Sequence, residues 1–293
     1  MTKLKIITIV LLTLLYSCQI QKENQRREEI RSEVLALRDS IAQINELHYQ
    51  YIGYAGATSD QYKNYKKLSQ TATNKELYIL AKDYNPVVAT YATFALMDKG
   101  DTSYRSIFQH FLEDDRAISI KSGCFDTSSS VSSEIYYEYI RQSNEIMSKP
   151  GNRYMKLQKD LTLLKLDSLI MVSEHENWEL YETMFKNLNF DKELLPLIER
   201  LAFTKKNILA IEYLSKNHEN VYKKQIKKIL MSYLYNSKTP IKTYRKAFLI
   251  LLSFNEADIN SVLVRKLDDI KRIYGQNKMY EFQGILQAYN VGF

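Results

Sequence analysis

The stretch "SEHENWELYE", residues 173–182, gathers Glu174, His175, Glu176 and Glu179 around Trp178, the single tryptophan of the chain. Two carboxylates beside an aromatic platform is a layout suited to sugar chemistry. The same residues also describe an ordinary helix start, with acidic side chains complementing the helix dipole and Trp178 packing inward. This second reading is preferred. His110 and Asp114 stand four apart on an expected helix with Glu113 beside them, a spacing that can put two metal ligands on one face. No second histidine is near in sequence, so an exposed ion pair is expected instead. Cys124 lies beside Gly123 and close to Asp126 in a serine-rich stretch. As a nucleophile it would need a histidine base nearby in space, and the sequence shows none, so it reads as a packed small residue at a loop's return. Lys223, Lys224, Lys227 and Lys228 share one helical face, with Ile226, Ile229 and Leu230 opposite. That face is either solvated or a contact for an acidic partner or anionic lipid headgroups. No G-x-S-x-G, H-E-x-x-H, P-loop, G-x-G-x-x-G or C-x-x-C motif occurs. No catalytic residue, metal ligand or cofactor is therefore assigned, and the chain is not expected to be an enzyme.

The elements that must carry these residues are helical. The chain has 293 residues, 45% hydrophobic and 26% charged, with only 8 Gly and 4 Pro. That is a globular composition with little turn punctuation, which favours helices over sheet folds. Ile30, Val34, Leu37, Ile41 and Ile44 fall at spacings of 4, 3, 4 and 3, a helical seam. The seam is too short for a convincing coiled coil, so a helix docked on the body is preferred to a dimerising stalk. Gly53 and Gly56 mark a break before Ser59-Asp60, which can cap the next helix. Asn74 can cap a helix ending near Tyr84, and Asn85-Pro86 opens another, closed by Lys99-Gly100. Ile107, Phe108, Phe111 and Leu112 form the apolar stripe of a third. Residues 120–133 read as a loop, and 148–152, "SKPGN", as the strongest turn. Beyond it, helices are expected at about 154–172, 176–187, 191–203, 206–217, 219–235, 240–253, 256–274 and 277–289, joined by short links.

The N-terminus has its own pattern. Lys3 and Lys5 precede ten residues, Ile6 to Leu15, that are apolar apart from Thr8 and Thr13. This is the plan of a secretory signal peptide, too short to span a bilayer comfortably. Leu15-Tyr16-Ser17-Cys18 follows and resembles the lipobox of bacterial lipoproteins. Tyr16 departs from the small or β-branched residue usual there. The resemblance implies cleavage between Ser17 and Cys18 and acylation of Cys18, which becomes the first residue of the mature chain. Several acyl chains, at about 0.8 kcal/mol per buried methylene, give stable anchoring. Gln21, Lys22 and Glu23 resemble the short export tag of surface lipoproteins in the Bacteroidetes. A mature chain carries 39 Lys+Arg against 34 Asp+Glu, or +5, where the whole chain carries +7. Nucleic acid is not expected as a partner, because the signal peptide takes the chain out of the cytoplasm.

"NPVVATYATFAL", residues 85–96, resembles the second helix of a HEAT-type repeat, with Ala89 standing where the repeat usually has Arg. The resemblance covers residues 74 to about 118 and implies helix pairs stacked as a solenoid that binds proteins. The expected architecture is thus all-α: a signal peptide at 1–17, a tether and charged helix at 18–49, a HEAT-like subdomain at 50–147 and a helical array at 148–293. The expected role is an interaction or scaffold module, anchored through Cys18 to the envelope, on the outer membrane, with a protein partner and no cofactor. Two rivals stand beside it: a carbohydrate enzyme or sugar-binding lipoprotein using the Trp178 cluster, and an assembly factor oligomerising through 30–44.

Overall fold

A computed structural model describes residues 29–147, 161–186, 190 and 192–292. The expected signal peptide, the Ser17–Cys18 junction and the 148–152 turn lie outside them. The chain divides between Leu180 and Tyr181 into two compact units, later than the 148–152 turn. Most of the described chain is helical, and among the described residues no helix is long and apolar enough to cross a membrane.

Among the described residues the first unit begins with α1 (Ser32–Ile44). Ile30, Val34 and Ile41 of the expected seam are buried, while Ile44 is 44% exposed. Asn45 takes the left-handed conformation, φ 50°, and its N–H bonds the Ile41 carbonyl. The chain then enters strand β1 (Leu47–Ile52), turns through Gly53 and Gly56 at positive φ, and returns as the two-residue β2 (Ala57–Thr58). Helix α2 (Asp60–Thr71) is capped by Ser59. Helix α3 (Asn74–Leu80) is capped one residue earlier than expected, by Thr73, which forms a reciprocal capping box with Glu76. Helix α4 (Pro86–Asp98) starts as the sequence indicates: the Asn85 side chain accepts from the N–H groups of Val87 and Val88.

Every residue of α4 from Val87 to Met97 is buried. It touches α1, α2, α3, α5 (Tyr104–Glu113), α6 (Val131–Met147) and β3 (Ala117–Gly123). A helix apolar all round belongs in the centre of a core. Its two threonines are satisfied internally: Thr90 and Thr93 donate to the carbonyls of Pro86 and Ala89, each at 2.8 Å.

The all-α expectation needs one correction. Strands β3 and β4 (Phe125–Ser130) form a hairpin over residues expected as a loop, and the sheet runs β2-β1-β3-β4. Buried Ile118 and Ile120 alternate with outward residues, the period of a half-buried strand. Strand β4 is the polar outer edge, "FDTSSS", with no apolar alternation, which is why the serine run reads as loop. Gly123, at φ 56°, makes the turn. Strands β1 and β3 are parallel, so the crossover between them must be long, and α2 to α5 supply it. Helix α7 (Leu161–Val172) and the first turn of α8 (Trp178–Lys186) complete the unit.

The second unit is a run of helices near their expected bounds. A 3-10 turn (Lys192–Leu194) leads into α9 (Leu195–Glu199) and a π turn (Arg200–Thr204). Then come α10 (Ile208–Asn217), α11 (Glu219–Tyr235), α12 (Ile241–Ser253), α13 (Ala257–Tyr274) and α14 (Gln276–Ala288). Each packs on the next, and α12 also packs on α10 and α14. Phe248 and Phe282 meet edge to face at 4.9 Å.

Candidate functional site

A cleft of about 90 Å³ opens in the first unit between β1 and three helices. Strand β1 contributes Leu47, His48, Tyr49 and Gln50. Helix α2 contributes Tyr62 and Tyr65, α4 contributes Tyr91 and Phe94, and α6 contributes Glu138 and Arg141. On each helix the two lining residues are three apart, which puts them on one face. The floor is aromatic. Tyr65 and Tyr91 stack at 4.8 Å and 13°, and Phe94 meets both edge-on at 6.4 Å. The Lys66 ammonium lies 5.0 Å from the Tyr65 ring centre.

Hydrogen bonds hold the lining in place. The Tyr91 hydroxyl accepts from the His48 N–H at 2.8 Å and donates to the His48 carbonyl at 2.7 Å, fastening β1 to α4. Tyr65 donates to Asp98 at 2.6 Å. Burial and the neighbouring carboxylate hold the Tyr65 phenol far above its ordinary value, so it stays a donor. Tyr49 donates to Glu134 at 2.6 Å, and burial pushes the Glu134 carboxyl up. Glu138, 2% exposed, is gripped by Arg141 through Nε at 2.8 Å and Nη2 at 2.5 Å, and by Gln142 at 2.9 Å. One wall of an apolar slot is thus an ion pair whose carboxylate is buried and hydrogen-bonded and whose guanidinium is 40% exposed.

Size decides what such a slot can take. Small-molecule and cofactor sites run to roughly 300–1,000 Å³, and a cavity of about 150 Å³ holds one benzene. This cleft is smaller than either and matches a single aliphatic side chain.

A serine–histidine–carboxylate chain borders the cleft. His48 Nδ1 lies 2.7 Å from the Ser59 Oγ, and Nε2 lies 2.6 Å from Glu46, which Lys121 also approaches at 3.4 Å. The His48 hydrogen bond draws the Glu46 carboxyl below its ordinary value. The distances suit a relay, but the serine does not suit a nucleophile. Ser59 is 2% exposed, and its oxygen is engaged as the α2 cap by the Tyr62 N–H. The chain's evident work is to tie β1 to α2.

The residues singled out from the sequence lie elsewhere. Glu174, His175 and Glu176 are exposed in the link between α7 and α8, and Trp178 is half-buried. Glu179 accepts from Ser129 at 3.0 Å, and Asn177 caps α8. These groups line no part of the cleft. His110 and Asp114 form an exposed pair at 4.0 Å, with Arg116 also on Asp114 at 2.7 Å. Among the described residues no group of three metal-ligating side chains occurs. Cys124 is exposed at the hairpin turn, not packed. In the second unit Lys223 and Lys227 are paired with Glu219, Glu256 and Asp258, whereas Lys224 and Lys228 are exposed. Ser17 and Cys18 lie outside the described residues.

Nothing in the sequence marks the cleft beyond paired aromatics three apart on α2 and α4. Tyrosine is so common here, at 23 residues, that the pairs do not stand out. No family model matches the chain, and no curated protein or solved structure does.

Proposed function

We propose that this chain is a lipid-anchored α-helical binding protein of a bacterial cell envelope, tethered through Cys18, whose first unit grips one side chain of a protein partner. The cleft carries the reading. It has the volume of one side chain, an aromatic floor and a hydrogen-bonded polar wall, the make-up of a pocket for an interface anchor. The HEAT-like reading enters in the same spirit: successive helices joined by short links, as in α10 to α14, offer the long surfaces such arrays use. The export tag favours the surface face of the outer membrane.

The rivals have less support. A sugar site at Trp178 needs its carboxylates on one concave surface, and Glu174 and Glu176 are exposed instead. Oligomerisation through 30–44 needs a free seam, and Val34 and Ile41 are fully buried within their own unit.

Two measurements test the proposal. Clickable fatty acid should label the wild type and not Cys18→Ala; equal labelling removes the tether. A photo-crosslinking residue at Gln50 should capture a defined partner, and Leu47→Trp, which fills the cleft, should abolish capture while the helical spectrum is kept. Capture that survives the filled cleft rejects the pocket as the anchor site.

A further inference from the structure

The charge of this chain is unevenly divided. The first unit carries 22 Lys+Arg against 23 Asp+Glu, a net −1, and the second carries 19 against 11, a net +8. The whole surplus therefore lies in residues 181–293. A basic balance confined to one unit points to an anionic partner more strongly than the same charge spread over the chain.

Helix α11 shows where that charge is available. Its four lysines fall into two columns. Lys223 pairs with Glu219 at 3.1 Å and Glu256 at 3.2 Å, and Lys227 pairs with Glu256 at 2.5 Å and Asp258 at 3.2 Å. That column is neutralised within the unit. Lys224 and Lys228 stand one residue further round, exposed and, among the described residues, without a carboxylate partner. Their column begins at Val221, 71% exposed, and ends at Tyr235, 64% exposed. Gln225 and Ser232 complete it, so no acidic side chain interrupts it. More positive charge adjoins the C-terminal end of α11. Tyr233 donates to the backbone carbonyl of exposed Lys206, and exposed Lys238 lies in the short link to α12.

We propose that this face of α11 docks on the anionic phospholipid headgroups of a bilayer surface. The residue types favour lipid over protein. Lysine is depleted at protein interfaces, and its compact charge lacks the bidentate fork with which arginine reads a carboxylate. A bilayer asks for no fork, since each lysine near an anionic surface contributes about 1 kcal/mol independently. Lysine stems snorkel, and a tyrosine suits the headgroup level with its ring inward and its hydroxyl wet. The second unit's own charges make this contact without the Cys18 tether.

The test is co-sedimentation of the chain from Gln19 onward, which has no acyl group and contains every described element. Phosphatidylcholine vesicles are compared with the same vesicles containing phosphatidylglycerol. Binding is expected only to the anionic vesicles, and it should weaken with salt. The double variant Lys224→Gln/Lys228→Gln should lower the partition coefficient roughly 30-fold, from about 1 kcal/mol per lysine. Lys63→Gln, in the first unit, should leave it unchanged. Equal binding to both vesicle types, or a double variant that binds like the wild type with its helical spectrum intact, overturns the proposal. So does loss of vesicle binding in inorganic phosphate beyond that caused by chloride of the same ionic strength, which would mark a phosphate pocket. Absence of vesicle binding with retained binding to polyglutamate would overturn it in favour of an acidic protein.

Discussion

Tyr91→Phe deletes one oxygen atom from the middle of the first unit and tests how the cleft is held. The ring, 1% exposed, keeps its stack on Tyr65 and its edge contact with Phe94. Only the two hydrogen bonds to the His48 backbone disappear. Burial holds the Tyr91 phenol above its ordinary value, so in the wild type it remains a donor wherever the protein is folded. A neutral hydrogen bond contributes about 0.5–1.5 kcal/mol net, while an orphaned buried group costs about 1–3 kcal/mol. Two groups orphaned in a part-buried setting, where water can reach them to some extent, bring the loss to about 2–4 kcal/mol. For a unit of this size about 1 kcal/mol moves Tm by roughly 2–4 °C, so a fall of roughly 4–16 °C is expected for the first unit. Calorimetry reads the total, and amide exchange reads the location, with protection at His48, Tyr49 and Gln50 dropping before that of α4. Crosslinking from Gln50 should weaken as well, because β1 no longer fixes that wall. A stability change under about 0.5 kcal/mol, with unchanged exchange at His48, would show that the hydroxyl does not fasten the strand.

Two further outcomes follow from the ion pairs that join α1 to α3 and the turn after it. Arg38, with its side chain 12% exposed, donates twice to Asp83 at 2.8 and 2.7 Å, so Asp83→Ala should cost about 3–5 kcal/mol in urea melts by stranding a buried charge; the paired change Arg38→Met/Asp83→Leu should recover most of it. The Arg31 guanidinium, helped by the Thr73 N–H, holds the Glu76 carboxyl at about 2, below its ordinary 4.5, so its stabilisation is complete above about pH 4.5 and is lost as pH falls toward 2; the Tm of the wild type should decline across that window more steeply than that of Glu76→Gln.

Helices were legible where local chemistry alone decides them. Asn85-Pro86 marks the start of α4 because the Asn oxygen and the fixed proline φ act within one turn. The bounds of α10 to α14 follow from short links and the apolar period in the same way. The sheet was not legible, since its stabilisation is non-local. Strand β1 is six residues long and finds its partner β3 across four helices. Strand β4 is a polar edge whose serines carry no period. The sequence of α4 also reads as the inner helix of a repeat, but its burial on every side depends on α1, α2, α5 and α6 closing around it, which no window of that length contains.

The cleft was hidden for a related reason. Each of its walls is ordinary on its own helix: two tyrosines on α2, an aromatic pair on α4, an i,i+3 ion pair on α6. Only the crossover that carries the chain from β1 through α2 and α4 to α6 sets them face to face. The sequence pointed instead to clusters contiguous in the chain, such as Glu174 to Glu179, and contiguity is a poor guide here because a link between helices fans its side chains outward. The lysines of α11 show the converse. They were visible at once as a charged face, yet which of them is available was decided by Glu256 and Asp258, some thirty residues on in the chain. Charge composition identifies the unit that carries the surplus, and tertiary pairing then leaves Lys224 and Lys228 as the part of it that another surface can use.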